Sequence, residues 1–219
     1  MKTWTADNPK AALMEEKRAA IVKAARRAFL ESGYAETSMD KIADAAKVSI
    51  KTVYRHFENK DDLFFAVMQA ACRTSVQADA GTGSNGDELP PWLMQPPSVG
   101  IQAAGEAYLK SVLEDDQIAL FRVLTRDAHK FPELGRRYQG EVIRSRNRKF
   151  VRYLEQWKKK EHWRIRSPEH AANVFAALLL SELFEQVLLG LRKVSEREIT
   201  DHARTAASVM HFMLNNGQF

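Results

Sequence analysis

The sequence predicts an all-α protein. Two observations support this fold class: hydrophobic residues recur at spacings of three and four, and no convincing run of alternating β-branched residues indicates a strand. The chain has 219 residues, 45% of them hydrophobic, which is enough for one large or two small domains with a substantial core. From this periodicity we expect about nine helices.

Helix-start and helix-stop residues set the expected boundaries. The first helix covers residues 11–32 and is ended by Gly33. Asn59 is the expected N-cap of the fourth helix, with acidic residues in its first turn. The other expected helices cover residues 39–46, 50–56, 98–113, 116–130, 132–160, 168–189 and 196–216. Residues 81–97 are rich in Gly and Pro and are expected to form a loop.

Several polar residues are expected to cap these helices. Thr37 and Asp40 have the spacing of a capping box at the start of the second helix. Ser167, followed by Pro168, marks a later start, and Gly190 marks the end of that helix. The last helix begins with a further capping box, formed by Ser195 and Glu198.

The helix at residues 50–56 has two chemically different faces on a wheel of about 100° per residue. Its apolar face comprises Ile50, Val53 and Phe57. Its outward face carries groups that can contact base edges, namely Lys51, Thr52 and Arg55. The flanking residues that suit phosphates are Tyr54 and His56. With the short helix before it, this helix predicts a helix-turn-helix motif.

A dense motif surrounds these helices. It consists of Arg18, Ile21, Ala24, Ala25, Phe29, Gly33, Tyr34, Thr37, Ser38, Met39, Asp40, Ile42, Ala43, Ala46, Val48, Ser49, Thr52, Val53, Tyr54, His56, Phe57, Lys60 and Leu63. Through this motif, residues 18–63 resemble the DNA-binding domain of the TetR/AcrR family of transcriptional repressors. One departure is Lys47, where many relatives have Gly, and a positive φ there would strain the turn.

The resemblance implies DNA contacts for most of the polar residues around the motif. It places Ser38 near a phosphate at the start of the second helix. It places Ser49, Lys51 and Thr52 at the major groove, and Tyr54, His56 and Lys60 on phosphates. Arg55 is assigned to DNA by the helical wheel alone. The alternative is that such residues are ordinary surface or capping groups, and for Thr37 capping alone is a sufficient explanation.

The resemblance also implies a division into two domains. Residues 1–66 form the DNA-binding domain, with the helix-turn-helix at about 38–57, and residues 67–219 form a helical domain for ligand binding and dimerisation. The last two helices each have an apolar face, and in the family they form a homodimer through a four-helix contact. The interface residues expected on these helices are Phe175, Leu179, Leu183, Val187, Ala206 and Met210. Packing within one chain is the alternative. Pro132–Arg136 and its surroundings also resemble one TetR subgroup.

Residues 136–166 contain 12 basic and 3 acidic residues and therefore hold most of the positive charge. Within the seventh helix, Arg137, Arg144, Arg148, Arg152 and Lys159 are expected on one face. This face is either a solvated surface or one that meets DNA phosphates or an acidic partner. Arg146 falls on the apolar side, where it can snorkel, pair with a carboxylate or bind an anionic ligand. The candidate ligand-binding residues are Arg146, Tyr108, Phe121 and His129.

Other function classes are disfavoured. The single cysteine, Cys72, excludes an internal disulfide and the common multi-cysteine zinc sites. Residues 81–86 match G-x-G-x-x-G, but no strand precedes them and no helix follows, so we expect no cofactor. No metal-ligand spacing, catalytic constellation, membrane span or signal peptide is evident, which predicts a cytoplasmic protein that is not an enzyme.

These patterns predict a one-component transcriptional regulator that acts as a repressor. A homodimer is expected to bind a near-palindromic DNA operator and to leave it when an unknown small-molecule ligand binds. The alternatives are a non-specific nucleic-acid-binding or scaffold protein and, with less support, a helical enzyme.

Overall fold

The computed structural model describes residues 9–79 and 89–219, and side chains within residues 11–71 and 89–219. These residues are helical, with no strand among them, which confirms the all-α prediction. The helices are α1 (Pro9–Glu36), α2 (Met39–Ala45), α3 (Ile50–His56), α4 (Lys60–Asp79), α5 (Pro97–Leu113), α6 (Asp115–Asp127), α7 (Pro132–Arg137), α8 (Arg144–Lys158), α9 (Pro168–Leu188) and α10 (Glu196–Asn215). The rejected G-x-G-x-x-G stretch lies outside the described residues.

The described residues fall into two compact units. The N-terminal unit comprises residues 9–71 and 119–136, and the C-terminal unit comprises residues 72–79, 89–118 and 137–219. Most of α6 and nearly all of α7 therefore belong with the helices of the predicted DNA-binding domain.

The N-terminal unit is built around an aromatic cluster. Phe29 on α1 packs edge-on against Phe64 on α4, with ring centroids 5.0 Å apart, and Tyr34 contacts both of these rings. Phe131 contacts the Tyr34 ring at 5.1 Å. Gly33 ends the regular part of α1 with a φ of +80°, as the sequence predicts. The cluster fixes α1 against α4 and leaves α2 and α3 to be held by their own buried residues.

The C-terminal unit has a core formed mainly by α5, α8, α9 and α10. Phe150 on α8 stacks on Phe175 of α9, with centroids 4.6 Å apart. Tyr153 is fully buried, and its hydroxyl donates to the carbonyl of Gln95 at 3.0 Å. A Cβ at Gly100 would overlap this hydroxyl, so Gly100 is required for the close approach of α5 to α8.

Residues 132–158 form one continuous helical rod, as predicted, but its middle is a π-helical segment, Tyr138–Ile143. Counted as one helix, this rod gives nine α-helices in the described chain, together with a 3₁₀ helix at Pro91–Met94. That 3₁₀ helix corrects part of the predicted 81–97 loop, because Pro91 can start a helical turn.

The π-helical segment also corrects the predicted basic face. An extra residue per turn offsets the two ends of the rod by about 100°. Arg137 is consequently largely buried and forms an ion pair with Glu141 at 2.7 Å. The side chains that do share an exposed surface of α8 are Arg144, Arg148 and Arg152.

The predicted caps are mostly confirmed. Asn59, Ser167 and Ser195 each accept a hydrogen bond from a backbone N–H of the following helix. Glu198 completes the capping box by accepting from the N–H of Ser195 at 2.8 Å. Local side-chain chemistry therefore sets these three helix starts.

The predicted capping box at Thr37 is wrong by one residue. Ser38 is the N-cap of α2 and accepts from the N–H of Lys41 at 3.3 Å. Thr37 is instead buried, and its hydroxyl donates to the carbonyls of Gly33 and Ala28. Thr37 thus closes the end of α1, a role that capping statistics do not distinguish from an N-cap.

Within the described chain, α9 is the one helix with the length and the mean hydropathy, 1.4, that a membrane span would need. Its buried residues include Phe175 and Leu179, which belong to the core of the C-terminal unit. A core helix meets the same criterion, so this composition is weak evidence for a membrane.

Candidate nucleic-acid interface

α3 lies on the N-terminal unit with one face buried and the other in solvent. Val53 is fully buried and Phe57 nearly so, as the helical wheel predicts. Lys51, Tyr54 and Arg55 are exposed, and Tyr54 retains 53% of its accessible surface. An ammonium, a phenol and a guanidinium group are therefore exposed on one side of α3, whose opposite side is buried against the N-terminal unit.

Hydroxyl groups fix the start of α3. The Oγ atom of Ser49 accepts from the N–H of Thr52 at 3.1 Å and lies 2.8 Å from the Thr52 hydroxyl. This pairing satisfies the end of the helix and orders the two side chains. Ser49 and Thr52, both predicted to lie at the DNA major groove, therefore have defined side-chain positions. Their hydroxyl oxygens can still accept further hydrogen bonds.

The turn between α2 and α3 has the hydrogen bonds of a Schellman motif. The N–H of Val48 bonds the carbonyl of Ala43 at 3.0 Å, and the N–H of Lys47 bonds that of Asp44 at 3.1 Å. Lys47 occupies the left-handed position of this motif, with a φ of +55°. The sequence departure at residue 47 therefore places a non-glycine residue where glycine is favoured.

Three of the predicted DNA-binding residues line one open groove of about 580 Å³, namely Ser38, Tyr54 and Lys60. The groove is also lined by the acidic residues Glu36, Asp40 and Glu58. An anion in this groove would meet these carboxylates, so the local charge does not by itself favour phosphate.

The ammonium group of Lys60 is already occupied within the protein. It donates to the carbonyls of Tyr34 and Thr37 at 2.9 Å each and lies 3.4 Å from that of Ala35. It also lies 4.3 Å from the centre of the Tyr34 ring. Burial lowers the pKa of Lys60, while the nearby Asp61 and Asp127 oppose this shift. Lys60 therefore bonds the start of α4 to the end of α1 and to Thr37. A contact between Lys60 and a DNA phosphate would have to compete with these hydrogen bonds.

His56 is less accessible than a phosphate-binding role suggests. Its Nε2 atom is buried and has no hydrogen-bond partner among the described residues. Burial lowers the pKa of His56, and the neighbouring Arg55 and Arg18 lower it further. The neutral ring is thereby favoured, and a contact with DNA would have to use Nδ1.

Asp127, which the sequence did not single out, bonds to the end of α1, just before the helix-turn-helix. Its carboxylate accepts from the N–H of Tyr34 at 2.9 Å and from Arg126 at 3.1 Å. A Cβ at Gly33 would overlap the Arg126 guanidinium. Glycine at this position therefore leaves room for the arginine that bonds Asp127. Asp127 and Tyr34 are separated by 93 positions in the sequence, and no local sequence pattern reveals such a pair.

The predicted ligand-binding residues are divided between the two units. In the C-terminal unit, the guanidinium of Arg146 lies 5.5 Å from the centre of the Tyr108 ring, which explains how a cation is accommodated on the apolar side of α8. Phe121 and exposed His129 belong to the N-terminal unit. The structure brings Arg146 and Tyr108 together, and the ligand role of all four residues stays a prediction.

Most of the predicted dimer-interface residues are buried within the chain itself. This applies to Phe175, Leu179, Leu183, Ala206 and Met210, whereas Val187 is half-buried. These five side chains therefore present little surface to a second copy, and the interface role of all six residues stays a prediction. Helical periodicity identified an apolar face correctly but could not tell which chain covers it.

Two family models match the sequence. Residues 21–67 match the model for bacterial regulatory proteins of the tetR family, and residues 100–213 match that for the C-terminal domain of AefR-like transcriptional repressors. Together they cover both the DNA-binding motif and most of the C-terminal unit.

Similar proteins include transcriptional regulators. The HTH-type transcriptional regulator HbdR of Aromatoleum sp. (strain CIB) is 40% identical over 65 residues, which is 30% of this chain and 28% of HbdR. The alignment therefore spans less than a third of that relative.

Solved structures resemble the chain over nearly its full length. The flavonoid-responsive regulator FrrA has a TM-score of 0.70 at 27% identity, covering 90% of this chain and 95% of FrrA. A TetR-family regulator from Mesorhizobium loti MAFF303099 has a TM-score of 0.72 at 22% identity, covering 91% of this chain and 97% of that regulator. The second match concerns the fold alone.

Proposed function

Because this chain belongs to the TetR family of DNA-binding transcriptional regulators, we propose that it is a one-component repressor. In this proposal a cytoplasmic homodimer binds a near-palindromic operator, and a small molecule bound by the C-terminal unit releases it. The similarity of residues 100–213 to AefR-like repressors supports repression rather than activation.

The observation that carries the proposal is the outward face of α3. Lys51, Tyr54 and Arg55 are exposed, and none of them forms an ion pair within the described part of the chain. Because α3 has seven residues, it is only about 10 Å long and can read only a few base pairs. Useful specificity therefore requires two copies on two half-sites.

The apolar surface that remains uncovered supports the homodimer. On α10, Phe212 is 66% exposed and Val209 is 41% exposed, on the side opposite the buried Met210. Only a third of the most apolar stretch of α9 is buried within the chain. A second copy that covers these faces would form a four-helix contact without disturbing the core of either chain.

The C-terminal unit supports a ligand-responsive mechanism. The Arg146–Tyr108 pair offers a half-buried guanidinium beside an aromatic ring, which suits an anionic or aromatic molecule. FrrA is a flavonoid-responsive regulator. By analogy, we propose that this chain also responds to an aromatic small molecule. Release follows if the ligand binds more tightly to a conformation with the wrong half-site spacing.

A footprint of the promoter region nearest the gene tests the function. We expect a protected near-palindrome with half-sites about one helical turn apart, or a multiple of it, and loss of protection with the correct aromatic ligand. Equal affinity for this region and for random DNA at fixed salt would contradict a specific regulator.

A further inference from the structure

Lys47 is a strained residue at the edge of the helix that faces DNA. Its φ of +55° lies in the left-handed region, which a residue with a Cβ disfavours and which glycine adopts freely. The Schellman bonds at Ala43 and Asp44 hold the backbone there regardless of the side chain. A glycine would satisfy the same turn, so the turn itself does not require lysine.

The side chain has no structural partner that would explain it. Lys47 is exposed, and among the described residues it has no ion pair and no side-chain hydrogen bond. Its charge does lie at the C-terminal end of α2, where a cation is favourable for the helix. That benefit is small for an exposed charge and does not need this particular backbone position.

Lys47 lies close enough to α3 to contact the edge of the DNA major groove that α3 is proposed to enter. Consecutive Cα atoms are about 3.8 Å apart, so Lys47 lies at most about 11 Å from the start of α3. The major groove is about 12 Å wide, and the N-terminal residues of a recognition helix enter it. A long cationic side chain just before that helix is therefore within reach of the sugar–phosphate backbone that borders the groove.

We propose that Lys47 binds a DNA phosphate at the edge of the groove that α3 enters, and that this contact accounts for a lysine in a position suited to glycine. The inference rests on the proposed DNA-binding role of α3 and adds a contact from the turn before it. Since a phosphate contact carries no base information, Lys47 positions the protein on DNA rather than selecting the sequence.

Binding of the full-length protein to a mixed-sequence duplex, measured across a series of salt concentrations, tests the proposal. Lys47→Gly and Lys47→Asn remove the charge while keeping residues that tolerate a positive φ. For both we expect about three- to tenfold weaker binding and a slope of log K against log salt that is shallower by about 0.9, as for the loss of one phosphate contact. Lys47→Arg is expected to keep the wild-type slope.

Two controls separate the outcomes. Lys193→Gln removes the same charge from an exposed position in the C-terminal unit and should leave the slope unchanged. The Tm of Lys47→Gly should be at or above the wild-type value, because strain is relieved. An unchanged slope in Lys47→Gly, or weaker binding accompanied by a lower Tm, would overturn the contact. Salt-independent or absent binding by the wild-type protein would instead overturn the proposed function.

Discussion

The carboxylate of Asp127 accepts the backbone N–H of Tyr34 across 93 positions of sequence. Asp127 is only 4% exposed, and its other partners are Arg126 and the N–H of Ala35. The end of α6 is thereby bonded to the last turn of α1, just before α2 begins.

Replacement of Asp127 by Ala should destabilise the protein by about 1–3 kcal/mol, because buried N–H groups lose their acceptor. Chemical denaturation monitored by circular dichroism measures this loss. Asp44→Ala, at an exposed position of α2, is the control and should change stability by less than about 0.5 kcal/mol. Equal stability of the two variants would show that the Asp127 bonds contribute nothing net.

The same carboxylate should make stability sensitive to acid. Burial acts to raise the pKa of Asp127, but hydrogen bonds from Arg126, Tyr34 and Ala35 lower it below its ordinary value. Its stabilising contribution is therefore complete above the ordinary pKa of about 4 and is lost as the pH falls through the lower folded-state pKa. We expect the Tm of Asp127→Asn to fall less than that of the wild-type protein between pH 6 and pH 3. A parallel decline in both proteins would contradict this.

Lys60 should contribute to stability through its carbonyl contacts. Lys60→Met keeps the aliphatic stem but leaves the carbonyls of Tyr34 and Thr37 without their charged donor. We expect a loss of about 1–3 kcal/mol in unfolding free energy. Lys51→Met, on the exposed face of α3, is the matched control and should unfold like the wild-type protein. If Lys60→Met is fully stable but binds DNA weakly, Lys60 acts chiefly on phosphate.

Tyr54 and Lys51 should affect DNA binding differently. Tyr54→Phe removes only an exposed hydroxyl, and binding should weaken about 3- to 10-fold on every sequence if it contacts a phosphate. Lys51→Ala should cost about 1–3 kcal/mol at one base pair and relax the preference there. Titration of the footprinted operator and its single-base variants distinguishes these effects. Uniform losses in both variants would refute the division of roles.

The exposed and buried sides of α10 offer a direct test of dimerisation. Phe212→Glu should shift the protein from dimer to monomer in analytical ultracentrifugation, because a charge would be buried in the contact. Gln218→Glu adds the same charge at an exposed site near the C-terminus and should leave the dimer intact. Met210→Ala should instead lower stability by about 2–5 kcal/mol, since it opens a cavity in the core. A dimer that persists in Phe212→Glu would place the interface elsewhere.

Sequence alone predicted those features that depend on neighbouring residues. The caps at Asn59, Ser167 and Ser195, the break at Gly33 and the buried face of α3 all follow from spacings of a few positions. The cap of α2 was misplaced because Thr37 and Ser38 are adjacent and chemically alike, and only burial separates them.

Features that depend on distant residues were not predictable in this way. The Asp127–Tyr34 bond joins separate parts of the chain, and the Lys60 contacts reach back more than 20 residues. The faces of α9 and α10 were recognised as apolar, but periodicity contains no information about which chain covers them. The candidate DNA-binding residues were chosen for their side-chain chemistry and their place in the motif. Neither criterion reveals that Lys60 is already hydrogen-bonded within the protein or that the Nε2 atom of His56 is buried.

The π-helical segment at Tyr138–Ile143 has a consequence for changes in chain length. Leu134, before it, is buried in the N-terminal unit, and Phe150 and Leu154, after it, are buried in the C-terminal unit. The π-helical segment takes up one extra residue in a wider turn, so each residue after it has the rotational position that the preceding residue would have in a regular α-helix. Removing a single residue such as Gly140 would therefore be absorbed within this segment: the wide turn would close to a regular α-helical turn, and the later side chains of the rod would keep their orientation.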